Sequence, residues 1–422
     1  MTNALTVIPP SHSLNGQVVL PGSKSITNRV LLLAALATGR SVLSGALKSD
    51  DTRYMAQALT HLGAVIEQPD ATTFVVENRH GLHAAKEPLY LGNAGTAMRF
   101  LTALAGTIEG RTKLTGDSYM HRRPIGPLVE ALRQVGVDIT DTNGCPPVTV
   151  QGHKNWTGSL TVDPTLSSQY VSALLMAGAC GHKPLDVILA AKHFGAQGYV
   201  SLTIDAMRGF GAHVERTATG FLVQPSQYVA RDFAVEADAS AATYFWAAAK
   251  ITDGAIDLDI DPSHSAQPDA ASYEAIAQYP KMPAQIDGLQ MQDAIPTLAV
   301  LAALGEHSVR FVNVGGLRVK ECDRIIAICG GLNRVCPGTC DEGADFFTVH
   351  PLSGASMRTA SRREAARPTV IETYDDHRIA MAFALLGLKL PGIGISHPQC
   401  VAKTFPGYWD ALGALGVQFT ND

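Results

Sequence analysis

The sequence predicts an α/β protein assembled from repeated units and divided into at least two domains. Three observations predict it. A chain of 422 residues exceeds the size at which a single hydrophobic core stops growing, so it divides. Hydrophobic residues make up 46% and charged residues 17%, a globular composition that excludes a mostly disordered chain. One local pattern also recurs: a helical stretch ending in an apolar residue and Gly, followed by an alternating strand. Copies begin at Ala58, Ala131, Ala206 and Ala411, the first three separated by 131 − 58 = 73 and 206 − 131 = 75 residues. Gly63, Gly136, Gly211 and Gly416 suit the left-handed position just past a helix, and the alternation after each suits a half-buried strand.

Two weaker copies complete a set of six. One spans 331–336, with Cys336 where the Gly belongs; the other spans 275–280, where Pro280 stops the helix. From Ala206 to Gly331 is 331 − 206 = 125 residues, short of the roughly 150 that two repeats of this period need. The fourth unit is therefore expected to be truncated, within 254–287.

Charge narrows the function classes. Thirty-three Lys and Arg against 38 Asp and Glu give a net charge of −5, which argues against a nucleic-acid or acidic-membrane partner, since either wants a basic surface. It leaves room for a small anion held by a few placed cations. Residues 1–13 lack the basic and apolar regions of a secretory signal, and the longest apolar stretches, 30–37 and 298–304, fall short of the ~20 residues that span a bilayer. Seven cysteines, an odd number, fit a reducing compartment. The expectation is a cytoplasmic protein.

Along the chain, the chemistry-bearing motifs fall at turn-to-helix junctions. Pro21 to Arg29 reads PGSKSITNR ahead of an apolar helix: Gly22 permits a tight turn, Ser23 or Ser25 can cap the helix, and Lys24 and Arg29 add charge where a helix N-terminus already favours an anion. It is not a Walker A loop. Leu91 to Arg99 reads LGNAGTAMR, where Gly95 lets backbone N–H groups approach a ligand. Arg122 and Arg123 precede what reads as a Pro-started helix, and Ser167, Ser168 and Gln169 precede an apolar one, more small polar groups than capping needs. In Arg318 to Arg324, RVKECDR, a helix would place Lys320 and Arg324 on one face with Glu321 beside them. Asp376, His377 and Arg378 open another apolar helix, Lys403 lies in AKTFP, and Asp293 precedes a further apolar helix, where it is either a cap or a working acid.

Eight cations at such junctions (Lys24, Arg29, Arg99, Arg123, Lys320, Arg324, Arg378 and Lys403) in a net acidic chain are costly to bring together unless an anion binds among them. Asp293 and Glu321 are the acids placed for proton transfer. The run of Cys322, Cys329, Cys336 and Cys340 matches no common zinc spacing and reads as small buried residues. No metal site is expected.

In this order the motifs PGSKSITNR, LGNAGTAMR, RRPIG, SSQY, VKECDR, DDHR and AKTFPGY, spanning Pro21 to Tyr408, resemble the 5-enolpyruvylshikimate-3-phosphate synthase family of enolpyruvyl transferases. The resemblance implies a two-domain fold, each domain three βαβαββ units around a pseudo-threefold axis, with residues 1–20 joining 236–422, residues 21–235 inserted, and the active site in the cleft between them. It implies transfer of enolpyruvyl from phosphoenolpyruvate to the 5-hydroxyl of shikimate 3-phosphate by addition and elimination, on the route to chorismate and the aromatic amino acids, in a monomer that uses no metal or organic cofactor. Lys24, Ser25, Arg29, Ser167, Ser168, Gln169, Tyr199, Asp293 and Lys320 would contact shikimate 3-phosphate. Lys24, Gly95, Arg123, Gln169, Arg324, Arg378 and Lys403 would hold phosphoenolpyruvate, with Asn93, Thr96, Arg99, Asp376 and His377 in support. Asp293 would be the base at the 5-hydroxyl, Glu321 would exchange the proton at the methylene carbon, and Lys24 would join them in catalysis.

The sequence also departs from the family's pattern. Ala196 stands where a Ser is usual, Gly316 where an Asn is frequent, and Phe100 follows Arg99 where Pro or Leu is common. The shortened unit, Ala196 and Gly316 motivate one rival reading, a non-catalytic anion-binding homologue; a second is a transferase of the same fold acting on another acceptor, against which Ser167, Ser168, Gln169 and Lys320 speak. Glyphosate is expected to bind beside Gly95 and Lys24, with Phe100 able to tilt that helix.

Overall fold

The computed structural model of the chain describes residues 4–352 and 368–421. The chain forms two compact units, one of Met1–Pro21 with Ala237–Asp422 and one of Gly22–Glu236.

The unit Gly22–Glu236 holds three four-stranded sheets of one design. Leu89–Tyr90 runs parallel to Gly110–Thr115, which pairs antiparallel with Cys145–Gly152, itself flanked by Asp138–Thr142. Gly158–Val162, Leu185–Leu189, Gly220–Val223 and Val214–Arg216 repeat the order. In the remaining sheet, Gly39–Ser44 finds its parallel partner far along the chain in Phe233–Ala234, so the unit is closed by its own last strand. A parallel pair needs a crossover, and the helices Gly95–Gly106 and Gln169–Gly178 supply it; Lys24–Leu36 occupies the matching place before Gly39–Ser44. These three helices are buried nearly all round. The second helix of each repeat, Asp50–His61, Gly126–Gln134 or Gly198–Gly209, buries only part of its surface.

The other unit repeats the design with one omission. Gln285–Asp287, Val309–Val312, Phe346–Val349 and Cys340–Glu342 form one full sheet. Thr369–Ile371, Ile393–Ser396, Ala4–Ile8 and Gln418–Asn421 form another, so the chain's first strand completes a sheet otherwise built from its end. The sixth sheet is a single parallel pair, Asn15–Val18 with Ala255–Leu258. Its antiparallel hairpin is missing, replaced by the turn Pro268–Ala271 and the helix Ser272–Ala277. The truncation expected within 254–287 is the loss of that hairpin. Ala239–Ile251, Ile295–Leu304 and His377–Gly387 are the buried helices here.

The four strong copies of the repeat each carry their Gly at positive φ: +111° at Gly63, +87° at Gly136, +89° at Gly211 and +98° at Gly416. At the weak copy Cys336 is extended, with φ −148°, and the left-handed residue is Gly338 at φ +83°. Nor are all the nearby cysteines separate thiols. Cys329 and Cys340 are joined as a disulfide, Cα atoms 5.0 Å apart, because the helix Arg324–Val335 returns directly into the strand Cys340–Glu342. Among the described residues no helix is long and apolar enough to cross a membrane.

Candidate functional site

In the unit Gly22–Glu236 the motifs stand at the starts of the buried helices, where N–H groups lack intrahelical partners and the dipole favours negative charge. Ser23, not Ser25, caps Lys24–Leu36, its side chain accepting from Ile26 N, which leaves Ser25 half-buried in the first turn. Gly22 is required because the Gly45 carbonyl passes so near that a Cβ would lie 1.9 Å from it. Lys24 Nζ lies 3.6 Å from Asp51 Oδ2, and both side chains are nearly buried. Asp51 escaped sequence reasoning, since Ser49-Asp50-Asp51-Thr52 reads as an ordinary helix start; Thr52 Oγ1 does accept from Ser49 N there at 3.0 Å.

Arg29 is buried one turn further on. It donates to Ser25 O, Thr203 Oγ1, Ser172 Oγ and Tyr199 O, and its guanidinium lies 5.6 Å from the Tyr199 ring. Burial pulls its pKa down to about 10, partly offset by Tyr199, so it keeps its charge at neutral pH.

At the helix Gly95–Gly106 the glycine has a structural reason of its own. An ideal Cβ there would lie 2.7 Å from the Arg123 guanidinium, which rests against the helix start and donates from Nη1 to Asn93 O and Oδ1, both at 3.0 Å. Arg99 donates to Gln169 Oε1 (2.7 Å) and Pro124 O (3.2 Å), and Gln169 Nε2 donates to Thr96 Oγ1 (3.0 Å). Asn93, Thr96 and Arg99 thus orient Arg123 and Gln169. Ser167 Oγ accepts from Gln169 N at 3.3 Å, while Ser168 occupies the cap position without a side-chain cap bond. Pro124 does not start the following helix as expected: Gly126–Gln134 does, with the proline of its first turn at Pro127.

The other unit carries an interlocked ion network. Arg324, at the start of the helix Arg324–Val335, donates to three carboxylates: Nη1 to Asp293 Oδ1 (2.9 Å), Nη2 to Glu321 Oε2 (2.7 Å) and Nε to Asp376 Oδ2 (2.7 Å). Arg378 Nη2 bonds the second oxygen of Asp293 at 2.8 Å, and Lys403 Nζ lies 3.1 Å from Glu321 Oε1. Burial opposes the charge on Arg324 and Arg378, but the surrounding carboxylates outweigh it and raise both pKa values. Asp376, fully buried, also caps His377–Gly387 by accepting from Arg378 N. His377 Nδ1 is 3.7 Å from Asp376 Oδ1.

Two expectations change here. Lys320 and Arg324 do not share a helix face, because the tight turn Gly315–Val319 ends at Lys320 and the next helix begins at Arg324. Asp293 is not a helix cap; the backbone N–H groups of Asp293 and Ala294 are instead received by Asp269 Oδ1, both at 3.1 Å. Asp269 is fully buried in the turn of the shortened unit, where no sequence signal marked it. At Gly316 a Cβ would lie 2.7 Å from Gln292 Nε2, so the Gln292 amide fills the space a side chain would occupy. Ala196, for its part, takes a left-handed conformation, φ +55°, ahead of the helix that bears Tyr199. Among the described residues no cluster of three His, Cys, Asp or Glu side chains could hold a metal ion.

This chemistry has close parallels. The family profile for EPSP synthase (3-phosphoshikimate 1-carboxyvinyltransferase) matches residues 8–412. A 3-phosphoshikimate 1-carboxyvinyltransferase of Rhizobium leguminosarum bv. trifolii is 54% identical over 423 aligned positions, covering 100% of this chain and 99% of that protein. One from Pseudomonas syringae pv. syringae is 53% identical, covering 98% of each. The solved EPSP synthase of Acinetobacter baumannii superposes with a TM-score of 0.77 at 26% identity over 99% of this chain and 100% of that one. The enolpyruvyl transferase NikO from Streptomyces tendae shares the fold, with a TM-score of 0.73 at 17% identity over the whole of both chains.

Proposed function

The chain belongs to the EPSP synthase family, and from that premise we propose that it transfers the enolpyruvyl group of phosphoenolpyruvate to the 5-hydroxyl of shikimate 3-phosphate, releasing inorganic phosphate. The observation that carries the reading is the network in which Arg324, Arg378 and Lys403 are held against Asp293 and Glu321 at 2.7 to 3.1 Å. Cations of this density suit a substrate with both a phosphate and a carboxylate, and binding alone would not call for the acids.

In the proposed reaction Glu321 supplies a proton to the methylene carbon of phosphoenolpyruvate as the 5-hydroxyl oxygen adds to C2, and Asp293 takes the hydroxyl proton. The elimination reverses the first transfer: Glu321 removes a methyl proton, the carbon–carbon double bond re-forms, the C–O bond to phosphate breaks, and the leaving phosphate carries away the proton that Asp293 took. Arg324, Arg378, Lys403, Arg123 and Lys24 stabilise charge on the phosphate as it leaves. Arg29, Ser25, Ser167, Ser168, Gln169, Tyr199 and Lys320 would hold the acceptor. Asp293 turns to the 5-hydroxyl as substrate anions take over its hydrogen-bond partners Arg324 and Arg378. We take the enzyme to be a cytoplasmic monomer. Glyphosate, which also carries a phosphonate and a carboxylate, would compete with phosphoenolpyruvate for these cations, and inhibition patterns with phosphoenolpyruvate varied would test that.

The test of function is phosphate release from purified protein given both substrates, beside Glu321→Gln and Lys24→Met. Release that needs both substrates and collapses in both variants supports the reading. Binding of both ligands without release would indicate a non-catalytic homologue, and failure to bind shikimate 3-phosphate would indicate another acceptor.

A further inference from the structure

Arg29 is 2% exposed, yet none of its hydrogen-bond partners is a carboxylate. It gives Nε–H to Thr203 Oγ1 (2.7 Å), Nη1 to Ser25 O (2.9 Å), and Nη2 to Ser172 Oγ and Tyr199 O (both 3.3 Å). These neutral acceptors use four of the five N–H groups a guanidinium carries, leaving one on Nη1. An isolated buried charge is costly, and Arg324 and Arg378, the buried arginines of the ion network in the other unit, have acids against them. What Arg29 has instead is two aromatic rings: Phe100, 5.2 Å from ring centroid to guanidinium carbon, and Tyr199, at 5.6 Å. Phe100 is fully buried in the middle of Gly95–Gly106, so the contact is made away from water, where a cation–π interaction is strongest.

We propose that Phe100 is a positioning residue for the acceptor: its ring, with that of Tyr199, balances the charge of Arg29 and holds the guanidinium ready for an anionic group of that substrate. A carboxylate in that place would neutralise Arg29 and compete with the incoming anion. A ring stabilises the cation through its quadrupole while leaving the charge and the remaining N–H available. Phe100 lies within the helix Gly95–Gly106, and its ring acts through Arg29. The inference rests on the reading of Arg29 as a ligand of shikimate 3-phosphate.

The experiment compares Phe100→Leu, which keeps apolar volume and removes the ring, with Phe100→Tyr, which keeps the ring; Phe100→Met replaces the leucine variant should that one not fold. With shikimate 3-phosphate varied at saturating phosphoenolpyruvate, Phe100→Leu raises its KM roughly tenfold, the equivalent of about 1.4 kcal/mol. KM for phosphoenolpyruvate stays within about threefold, and Phe100→Tyr recovers most of the loss. An unchanged KM in Phe100→Leu, equal loss in the leucine and tyrosine variants, or equal rises for both substrates overturns the proposal. A double-mutant cycle of Phe100→Leu with Arg29→Met, read by unfolding of the ligand-free protein, measures the ring–cation contact without any substrate. Non-additivity of about fivefold or more in the unfolding constant is expected, and additivity overturns the proposal. Wild-type protein that neither binds nor turns over shikimate 3-phosphate would refute the functional reading instead, with the cycle still deciding whether the rings stabilise Arg29.

Discussion

Asp376 is the residue whose loss should reveal most about how the ion network is held. Its Oδ2 accepts from Arg324 Nε at 2.7 Å, and its Oδ1 accepts from Arg324 Nη2 at 3.3 Å and from the Arg378 backbone N–H at 2.9 Å, all at zero exposure. Asp376→Asn keeps the shape and one acceptor oxygen, so the helix cap survives. It removes one of three carboxylates (Asp293, Glu321, Asp376) that face three cations (Arg324, Arg378, Lys403), and it turns an amide NH2 toward guanidinium donors. Breaking a buried ion pair from one side costs about 3–5 kcal/mol. With Arg324 keeping two other acids, about 3 kcal/mol is expected for Asn, and about 1 kcal/mol more for Ala, which also loses the cap. At roughly 2–4 °C per kcal/mol for a domain of about 200 residues, Asp376→Asn lowers its calorimetric transition by about 10 °C. Arg324 then settles more firmly on Asp293 and Glu321, so kcat falls about a hundredfold, comparable to removing one preorganised charged donor. A transition within about 2 °C of wild type together with kcat within about threefold would refute the reasoning, because it would mean that Asp293 and Glu321 alone fix Arg324.

Gly95→Ala places a methyl 2.7 Å from the Arg123 guanidinium; KM for phosphoenolpyruvate should rise roughly tenfold in steady-state kinetics while thermal stability holds or improves, since Ala suits a helix better than Gly by up to about 1 kcal/mol. Asp269→Ala removes the side-chain acceptor of the Asp293 N–H and one of the two acceptors of the Ala294 N–H, which keeps Met291 O, and should cost about 1–2 kcal/mol in unfolding and lower kcat more than it raises either KM; Asp269→Asn, which keeps an acceptor, should recover most of both. Burial pushes Cys180 up to about 12 from a reference of 9.0, so mass spectrometry after iodoacetamide treatment at pH 8 should find it alkylated on the order of a thousandfold more slowly in native than in unfolded protein. Because folded Cys180 keeps its proton in the window from pH 9 to 12 while the unfolded chain releases it, its contribution to stability falls as pH rises through that window, measurable by denaturant titration at pH 8 and pH 10.

How much was legible in the sequence depended on whether the signal was local. A glycine past a helix announces a conformation that other residues resist, so Gly63, Gly136, Gly211 and Gly416 marked the repeats, and the short interval after Ala206 marked the unit that lost its hairpin. Cys336 misled because the left-handed turn had moved two residues on, to Gly338. Lys320 and Arg324 misled because an i,i+4 spacing carries meaning only within one helix, and the chain breaks between them. Asp51 and Asp269 could not be singled out at all. Each is one acid in an unremarkable setting, Asp51 in the first turn of a helix and Asp269 in a short 3-10 turn, given its partner by a contact across 51 − 24 = 27 and 293 − 269 = 24 residues respectively. Motifs at helix starts are legible because helix termini have a fixed chemistry; what anchors them is tertiary and leaves no local trace.

The shortened unit bears on how such a fold can lose material without losing its chemistry. Its hairpin is gone, yet the turn that replaced it holds the starts of two buried helices. Gln267 Oε1 accepts from Ala239 N, its Nε2 donates to Ala237 O, and Asp269 receives the amides of Asp293 and Ala294. A buried helix start must have its N–H groups satisfied by something, and a side chain from a short turn does this as well as a full β-hairpin would. In a complete repeat of this unit the hairpin is two further strands of the sheet. The cost of deletion therefore falls on local stability, while the acid stays tied to Arg324 and Arg378. The truncation that first suggested a non-catalytic homologue is compatible with catalysis for that reason: in its short turn Gln267 and Asp269 hold the two helix starts.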